Sequence, residues 1–205
     1  MESCRDQTID AFNEYVNGLK VKGQTQNQIG SAGGTRLSLS IFDSEATDVV
    51  FDALRVNDVP PLTRDTFVPR ASTPLFDAVG RTVARIDKVT LLPDERVNLA
   101  ILTDGMENAS QELTADAVKK LLIDRQERCN WLVQYLGANQ NAWAAGAQIG
   151  IAAAHAMDYD TGSVKSAMRS MSASAGRYAA APIREARAKA SFSDAERASA
   201  KDDKS

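Results

Sequence analysis

The sequence is poor in the residues that form metal centres and disulfide frameworks, with one histidine and two cysteines among 205 residues. A single histidine excludes any mechanism that needs two. Cys4 and Cys129 are too few for a disulfide framework, and their spacing is not that of a zinc site. Reduced thiols in a cytoplasmic protein are therefore the expected state.

The sequence also lacks a long hydrophobic run and an excess of basic residues. No segment reaches about 18 consecutive apolar residues, which argues against a transmembrane helix. The N-terminal stretch MESCRDQTID is polar and charged, unlike the apolar stretch of a signal peptide. The net charge is −3, whereas nucleic-acid-binding domains usually carry a strong basic excess. We therefore expect a cytoplasmic protein that binds neither membranes nor nucleic acid.

The pattern of apolar residues predicts alternating helices and strands. Hydrophobic residues make up 43% of the chain, enough for a buried core. Helical spacing predicts a first helix with one apolar face, and period-two alternation then predicts two paired strands. The near-continuous apolar run from Val97 to Leu102 fits a strand buried on both faces of a parallel sheet, and the run from Trp131 to Leu136 fits another. The sequence thus predicts an α/β fold with a doubly wound, Rossmann-like, mostly parallel sheet flanked by helices.

The composition changes near residue 181. Residues 181–205 are mostly Ala, Arg, Lys, Asp, Glu and Ser, and Phe192 is the only aromatic residue among them. Such a segment is expected to bury too little apolar surface to offset the entropy lost on ordering. We therefore predict one domain over residues 1–180 and a disordered or frayed helical tail over 181–205.

Two predicted loops carry the strongest chemical signals. Function in such folds is located at the carboxyl ends of the strands. The motif ILTDGMEN brings Asp104 to that edge, and the motif STPLFDAV places Thr73 just before a predicted helix N-terminus. A hydroxyl and a carboxylate together suit a hard cation such as Mg²⁺ or Mn²⁺.

The motifs STPLFDA, LAILTDGMENAS, WLVQYLGANQNA and RSMSASAGRY, in this order, resemble a von Willebrand factor type A (vWA) domain of the small prokaryotic or phage type. The resemblance covers roughly residues 1–178. It implies a metal-ion-dependent adhesion site, built from a DxSxS loop after the first strand, a Thr from a second loop and an Asp from a third. By match of motif, Thr73 is the second-loop ligand and Asp104 is the third-loop carboxylate.

The sequence departs from the vWA pattern at its beginning. No DxSxS motif is present, and Met1 coincides with the Met that follows this motif in the family. The resemblance therefore implies that the central first strand is absent and that the chain is an N-terminal truncation. Thr73 and Asp104 alone would leave most of the coordination sphere of Mg²⁺ to water, so metal binding is expected to be weak or absent.

Simpler roles remain open for the same residues. Thr73 could serve only as a helix N-cap, and Asp104 only as a turn residue before Gly105. Asp77 lies in a first helical turn, where a carboxylate favours the helix dipole. Glu107 and Asn108 could line the Asp104 loop.

The resemblance implies a non-catalytic protein-recognition domain that binds a partner carboxylate at the metal site, possibly in company with an AAA-type ATPase. One alternative is a metal-assisted α/β hydrolase, which would need a general base and further carboxylates near Asp104. Another is a non-functional or structural remnant whose sheet pairs with a strand of another chain.

Overall fold

The computed structural model describes residues 5–26, 34–43, 47–68, 72–89, 91, 95–138 and 141–201. Its helices and strands are, in chain order, α1 (Arg5–Gln26), β1 (Arg36–Phe42), β2 (Thr47–Arg55), α2 (Leu75–Ile86), β3 (Asn98–Thr103), α3 (Ala115–Arg128), β4 (Leu132–Ala138), α4 (Ala142–Gln148), β5 (Ala156–Tyr159), α5 (Val164–Ala180), α6 (Ala186–Lys189) and α7 (Asp194–Ser199). Short 3-10 turns occupy Val56–Asp58, Ala153–His155 and Thr161–Ser163.

The strands form two separate sheets. β1 and β2 pair antiparallel as a hairpin, while β3, β4 and β5 form a parallel sheet in that order. The predicted α/β architecture, with a parallel sheet flanked by helices, is confirmed. The predicted turn near Ser44 lies outside the described residues.

α1 confirms the face predicted from the sequence, because Ile9, Phe12, Val16 and Leu19 are all buried. The helix does not end near Gly18, as its glycines suggested, but continues to Gln26. A Cβ at Gly18 would lie 2.3 Å from the Oγ of Ser172 on α5. This glycine therefore allows the close packing of α1 on α5 rather than ending the helix.

The two sheets share one layer between two layers of helices. On one face, α1 and α5 pack against both the hairpin and the parallel sheet, in a cluster that contains Leu39 and Leu136. On the other face, α2 contributes Val79 and Val83 to a cluster with Leu99 and Val133, and Arg85 donates to the Ser40 hydroxyl of the hairpin. Helices thus bridge the boundary between the sheets on both faces, although β1 and β3 are not hydrogen-bonded to each other.

The prediction that the strand near Val97–Leu102 is buried on both faces is wrong for β3. This strand lies at the edge of the parallel sheet, and Ala100 is exposed. β4 is the central strand, and all of its residues from Leu132 to Ala138 are buried. An apolar run does not distinguish an edge strand from a central one, because sheet order depends on contacts that are distant in sequence.

The prediction of a disordered or frayed tail is wrong for residues 181–201. Phe192 and the alanines at 186, 190 and 200 are buried. Arg177 on α5 forms an ion pair with Glu196, which also completes a capping box with Ser193 at the start of α7. Small alanines pack closely against α5 and β5, so the segment buries more surface than its low hydrophobicity suggested. Residues 202–205 lie outside the described part.

No helix within the described residues is long and apolar enough to span a membrane. Cys129 is exposed at the end of α3, which corrects the expectation that it is a core residue.

Candidate functional site

The two loops selected from the sequence lie against each other at the carboxyl end of β3. A Cβ built on Gly105 would lie 2.6 Å from Thr73 Oγ1. Only glycine fits this position without moving the threonine, because real Cβ contacts are essentially never this short. Thr73, which is half-buried, therefore sits beside the loop that carries Asp104.

Thr73 is held to the Asp104 loop through its backbone. Its N–H donates to Asn108 Oδ1 at 2.8 Å, and the N–H of Asn108 donates to the Thr73 carbonyl at 3.3 Å. The preceding residue, Ser72, has a φ of +73°, a conformation that non-glycine residues rarely adopt. Asn108 thus joins two loops that are 35 residues apart in sequence.

The alternative role of Thr73 as a side-chain N-cap is wrong. α2 has Pro74 at its N-cap position and receives no cap hydrogen bond from that residue's side chain. The orphan N–H groups of the first turn are instead satisfied from the Asp104 loop: Phe76 donates to Glu107 Oε2 and Ser110 Oγ, and Asp77 donates to Ser110 Oγ. The Thr73 hydroxyl is therefore not used as the cap.

Glu107 is fixed by hydrogen bonds within its own loop as well. Its carboxylate accepts the backbone N–H groups of Ala109 and Ser110, both at 2.8 Å, and the Ser110 hydroxyl at 2.7 Å. Burial opposes ionisation, but these hydrogen bonds outweigh it and hold the pKa of Glu107 below its ordinary value. The sequence named Glu107 without a role, since its partners on α2 are distant in sequence.

Asp77 fixes the far end of the same loop. Its side chain is buried and accepts the backbone N–H groups of Gln111, Glu112 and Leu113 at 2.8–3.0 Å. Burial opposes ionisation, but the three N–H donors and nearby Arg81 outweigh it and lower the pKa of Asp77. The structural interpretation of Asp77 is confirmed.

Asp104 and Met106 form the outward part of this loop. Asp104 is exposed, and Met106 is 71% exposed, the highest value among the exposed large hydrophobic residues of the described chain. Thr103, one residue before Asp104, is buried and donates its hydroxyl to the Gly105 carbonyl at 2.8 Å. The bend at Asp104–Gly105 is therefore held from inside while its two neighbouring side chains point outward.

The residues of this site do not fit a metal centre. Thr73 and Asp104 offer two side chains with oxygen ligands, whereas Mg²⁺ prefers about six oxygens in an octahedral arrangement. The oxygens of Asp77 and Glu107 are already occupied by N–H and hydroxyl donors. Among the described residues, no group of three or more His, Cys, Asp or Glu side chains could hold a metal ion.

Comparison with known proteins yields no significant match to any protein-family model, curated protein or solved structure.

Proposed function

We propose that this chain is a non-catalytic, vWA-like protein-recognition domain, and that its recognition surface is the exposed part of the Asp104 loop. The observation that carries the proposal is the contrast within that loop. Asn108, Glu107 and Asp77 tie its backbone to α2, yet Asp104 and Met106 face solvent. A preorganised loop loses little entropy on binding, and methionine adapts to varied partner surfaces.

The same contacts weigh against the alternative of a metal-assisted hydrolase. Such an enzyme needs a general base next to the reacting group. Asp77 and Glu107 are the carboxylates closest in sequence to the two loops, and their hydrogen bonds hold both in structural roles. Turnover of p-nitrophenyl phosphate that Asp104→Ala abolishes would favour the hydrolase over recognition.

In the vWA-like interpretation, the central first strand is absent and a metal-ion-dependent adhesion site is incomplete. Thr73 and Asp104 stay as its proposed metal ligands, with Mg²⁺ or Mn²⁺ bound weakly if at all. Recognition through Asp104 and Met106 needs no metal, because an exposed carboxylate and thioether contact a partner directly. An AAA-type ATPase remains one proposed partner within a cytoplasmic setting.

Site-specific photocrosslinking tests the proposal. Benzoylphenylalanine replaces Met106 in one variant and Val89 in the control, which is 55% exposed just beyond the opposite end of α2. In cells that produce the protein, we expect a discrete adduct from position 106 and none from position 89. Asp104→Asn in the same chain should reduce the yield of that adduct. Equal labelling from both positions would overturn the proposal, and loss of the adduct in EDTA would place a metal in the interface.

A further inference from the structure

The outer edge of β3 presents hydrogen-bonding groups along the boundary between the two sheets. The carbonyl of Val97 accepts the N–H of Leu132, so the backbone of Val97 faces β4. Because backbone groups alternate sides along a strand, those of Asn98, Ala100 and Leu102 face the other edge. Within the described chain, no strand pairs with β3 at that edge.

The hairpin across this boundary is incompletely covered. No residue of β1 or β2 is classed as buried. Their apolar side chains pack only partly into the core, namely Leu37, Leu39, Ile41, Phe42, Phe51 and Leu54. On the other side of the boundary, Leu102 is also only half-buried and Ala100 is exposed. Apolar surface is therefore left uncovered on both sides of one gap, under helices that bridge it.

Two buried acceptors lie on the face of β3 and β4 that is turned towards α5. Asn98 Oδ1 and Gln134 Oε1 are buried and have no hydrogen-bond partner within the described part of the chain. Register places Gln134 directly beside Ala100, two residues along β3 from Asn98. An unsatisfied buried acceptor costs about 1–3 kcal/mol, so a donor at this place would be strongly favoured.

The orientation of the Gln134 amide follows from its neighbours. The Ser174 hydroxyl donates to the carbonyl of Ala190, so it can only accept from Gln134. Gln134 Nε2 supplies that hydrogen at 2.9 Å, which leaves Oε1 as the free acceptor. A ligand that meets this site must therefore bring a donor.

We infer that the edge of β3 binds an extended segment of a partner protein, with apolar residues on both sides of a hydrogen-bond donor that reaches over Ala100 to Asn98 and Gln134. The backbone of that segment would pair with Asn98, Ala100 and Leu102, as in other cases of strand addition. A carboxamide suits the two acceptors best, because its NH₂ group carries two hydrogens. This surface is separate from the Asp104 loop, so the inference goes beyond the proposed recognition function.

Two synthetic peptides that differ at one position test the inference with the full chain. KVTVQVTVK carries the donor at its centre, and KVTVLVTVK replaces it with an apolar residue of similar size. We expect fluorescence anisotropy to show binding of the glutamine peptide about tenfold tighter, the ratio that corresponds to about 1.4 kcal/mol for one recovered hydrogen bond. Asn98→Leu should remove most of this preference.

Backbone pairing is tested separately at Ala100. Ala100→Pro removes an N–H that faces the free edge and leaves the ladder to β4 intact, as edge positions allow. It should abolish peptide binding, whereas the matched variant Ala100→Ser should bind within about threefold of the parent chain. In the parent chain, saturating peptide should slow hydrogen exchange at Ala100 and Leu102.

Three results would overturn the inference. The first is no saturable binding of either peptide up to about 1 mM, which is weaker than a specific site of this kind should be. The second is equal affinity for both peptides. The third is concentration-dependent self-association that Ala100→Pro abolishes, since it would make a second copy the occupant. Asp104→Asn should leave peptide binding unchanged, and Ala100→Pro should leave the crosslink at position 106 unchanged, so each proposal fails independently.

Discussion

Thr73 and Asn108 are joined by two hydrogen bonds that run in opposite directions between their loops. The Thr73 N–H donates to the Asn108 side chain, and the Asn108 N–H donates to the Thr73 carbonyl. This pair determines how the Thr73 hydroxyl lies beside Gly105, and thus the shape of the edge that we propose as a recognition surface. Removing the side chain of Asn108 breaks one bond and leaves the other to hold the loops alone.

Asn108→Ala should therefore loosen the loop more than it destabilises the fold. We expect a loss of about 1 kcal/mol in the free energy of unfolding in urea, the usual value for one hydrogen bond. Hydrogen exchange of residues 104–108 should accelerate, and the crosslink from position 106 should weaken. The control is Asn57→Ala, at an exposed position in the turn after β2, which should change none of these. An unchanged exchange rate in Asn108→Ala would show that the pair does not order the loop.

Asp77→Asn should be more damaging, because the carboxylate accepts three backbone N–H groups in a buried position. We expect a loss of about 2–3 kcal/mol at pH 7, in the range for hydrogen bonds to charged groups. The control, Asp116→Asn, removes an exposed carboxylate from the first turn of α3 and should cost less than about 1 kcal/mol.

The pH dependence of the Asp77 effect has a definite sign. The pKa of this carboxyl is lowered in the folded state, so its contribution is present above the unfolded pKa near 4 and is lost as pH falls through the folded pKa. Urea titrations at pH 7 and pH 3 should therefore show a smaller difference between the parent and Asp77→Asn at the lower pH. A constant difference would contradict the charged role of Asp77.

His155 should make the protein less stable in mild acid. It is 7% exposed, and burial together with Arg187 and Arg197 lowers its pKa from 6.5 to about 4. The neutral form is favoured in the folded state, so stability is complete above pH 6.5 and is lost as pH falls towards 4. At 1.36 kcal/mol per unit, the loss at pH 5 is about 2 kcal/mol.

Two measurements check the role of His155. Its ring protons are the only histidine signals in the spectrum, since the chain has one histidine, and should titrate near pH 4. His155→Gln cannot gain a proton, so its stability should change much less between pH 7 and pH 5. Titration of the ring near 6.5 would contradict the buried environment.

The packed C-terminal segment is tested by a pair of residues within it. Phe192 is 5% exposed, whereas Ile183 is 45% exposed. Phe192→Ala should cost about 3 kcal/mol, as expected for a buried aromatic side chain, and Ile183→Ala should cost less than about 0.5 kcal/mol. Equal and small effects on urea unfolding would mean that residues 181–201 do not contribute to the core.

Periodicity in the sequence was sufficient to predict the main elements. The apolar face of α1, the hairpin, α2, α3, β4 and the short strand β5 all follow from local patterns. The sequence also selected Thr73 and Asp104, and the structure brings their loops together. Their metal-binding role stays a prediction.

What could not be predicted depends on contacts between distant residues. The edge position of β3 follows from which strands pair, and the apolar run around Ile101 is equally compatible with a central strand. The same holds for Glu107, whose hydrogen bond to the N–H of Phe76 spans 31 residues. Average composition also concealed the packing of the tail, because burying a few alanines and one phenylalanine scarcely changes the hydrophobic content of the segment.

Divalent metal binding provides the sharpest test of the vWA resemblance at Thr73 and Asp104. With two side-chain ligands, Mg²⁺ would keep most of its coordinating waters, so we expect a dissociation constant in the millimolar range or no measurable binding. Paramagnetic broadening by Mn²⁺ should then be centred on residues 73 and 104–106 and should decrease in Asp104→Asn. Asp116→Asn is the matched control, since it removes an exposed carboxylate elsewhere. Micromolar binding that survives Asp104→Asn would mean that other residues hold the metal and that the assignment of Thr73 and Asp104 as ligands is wrong.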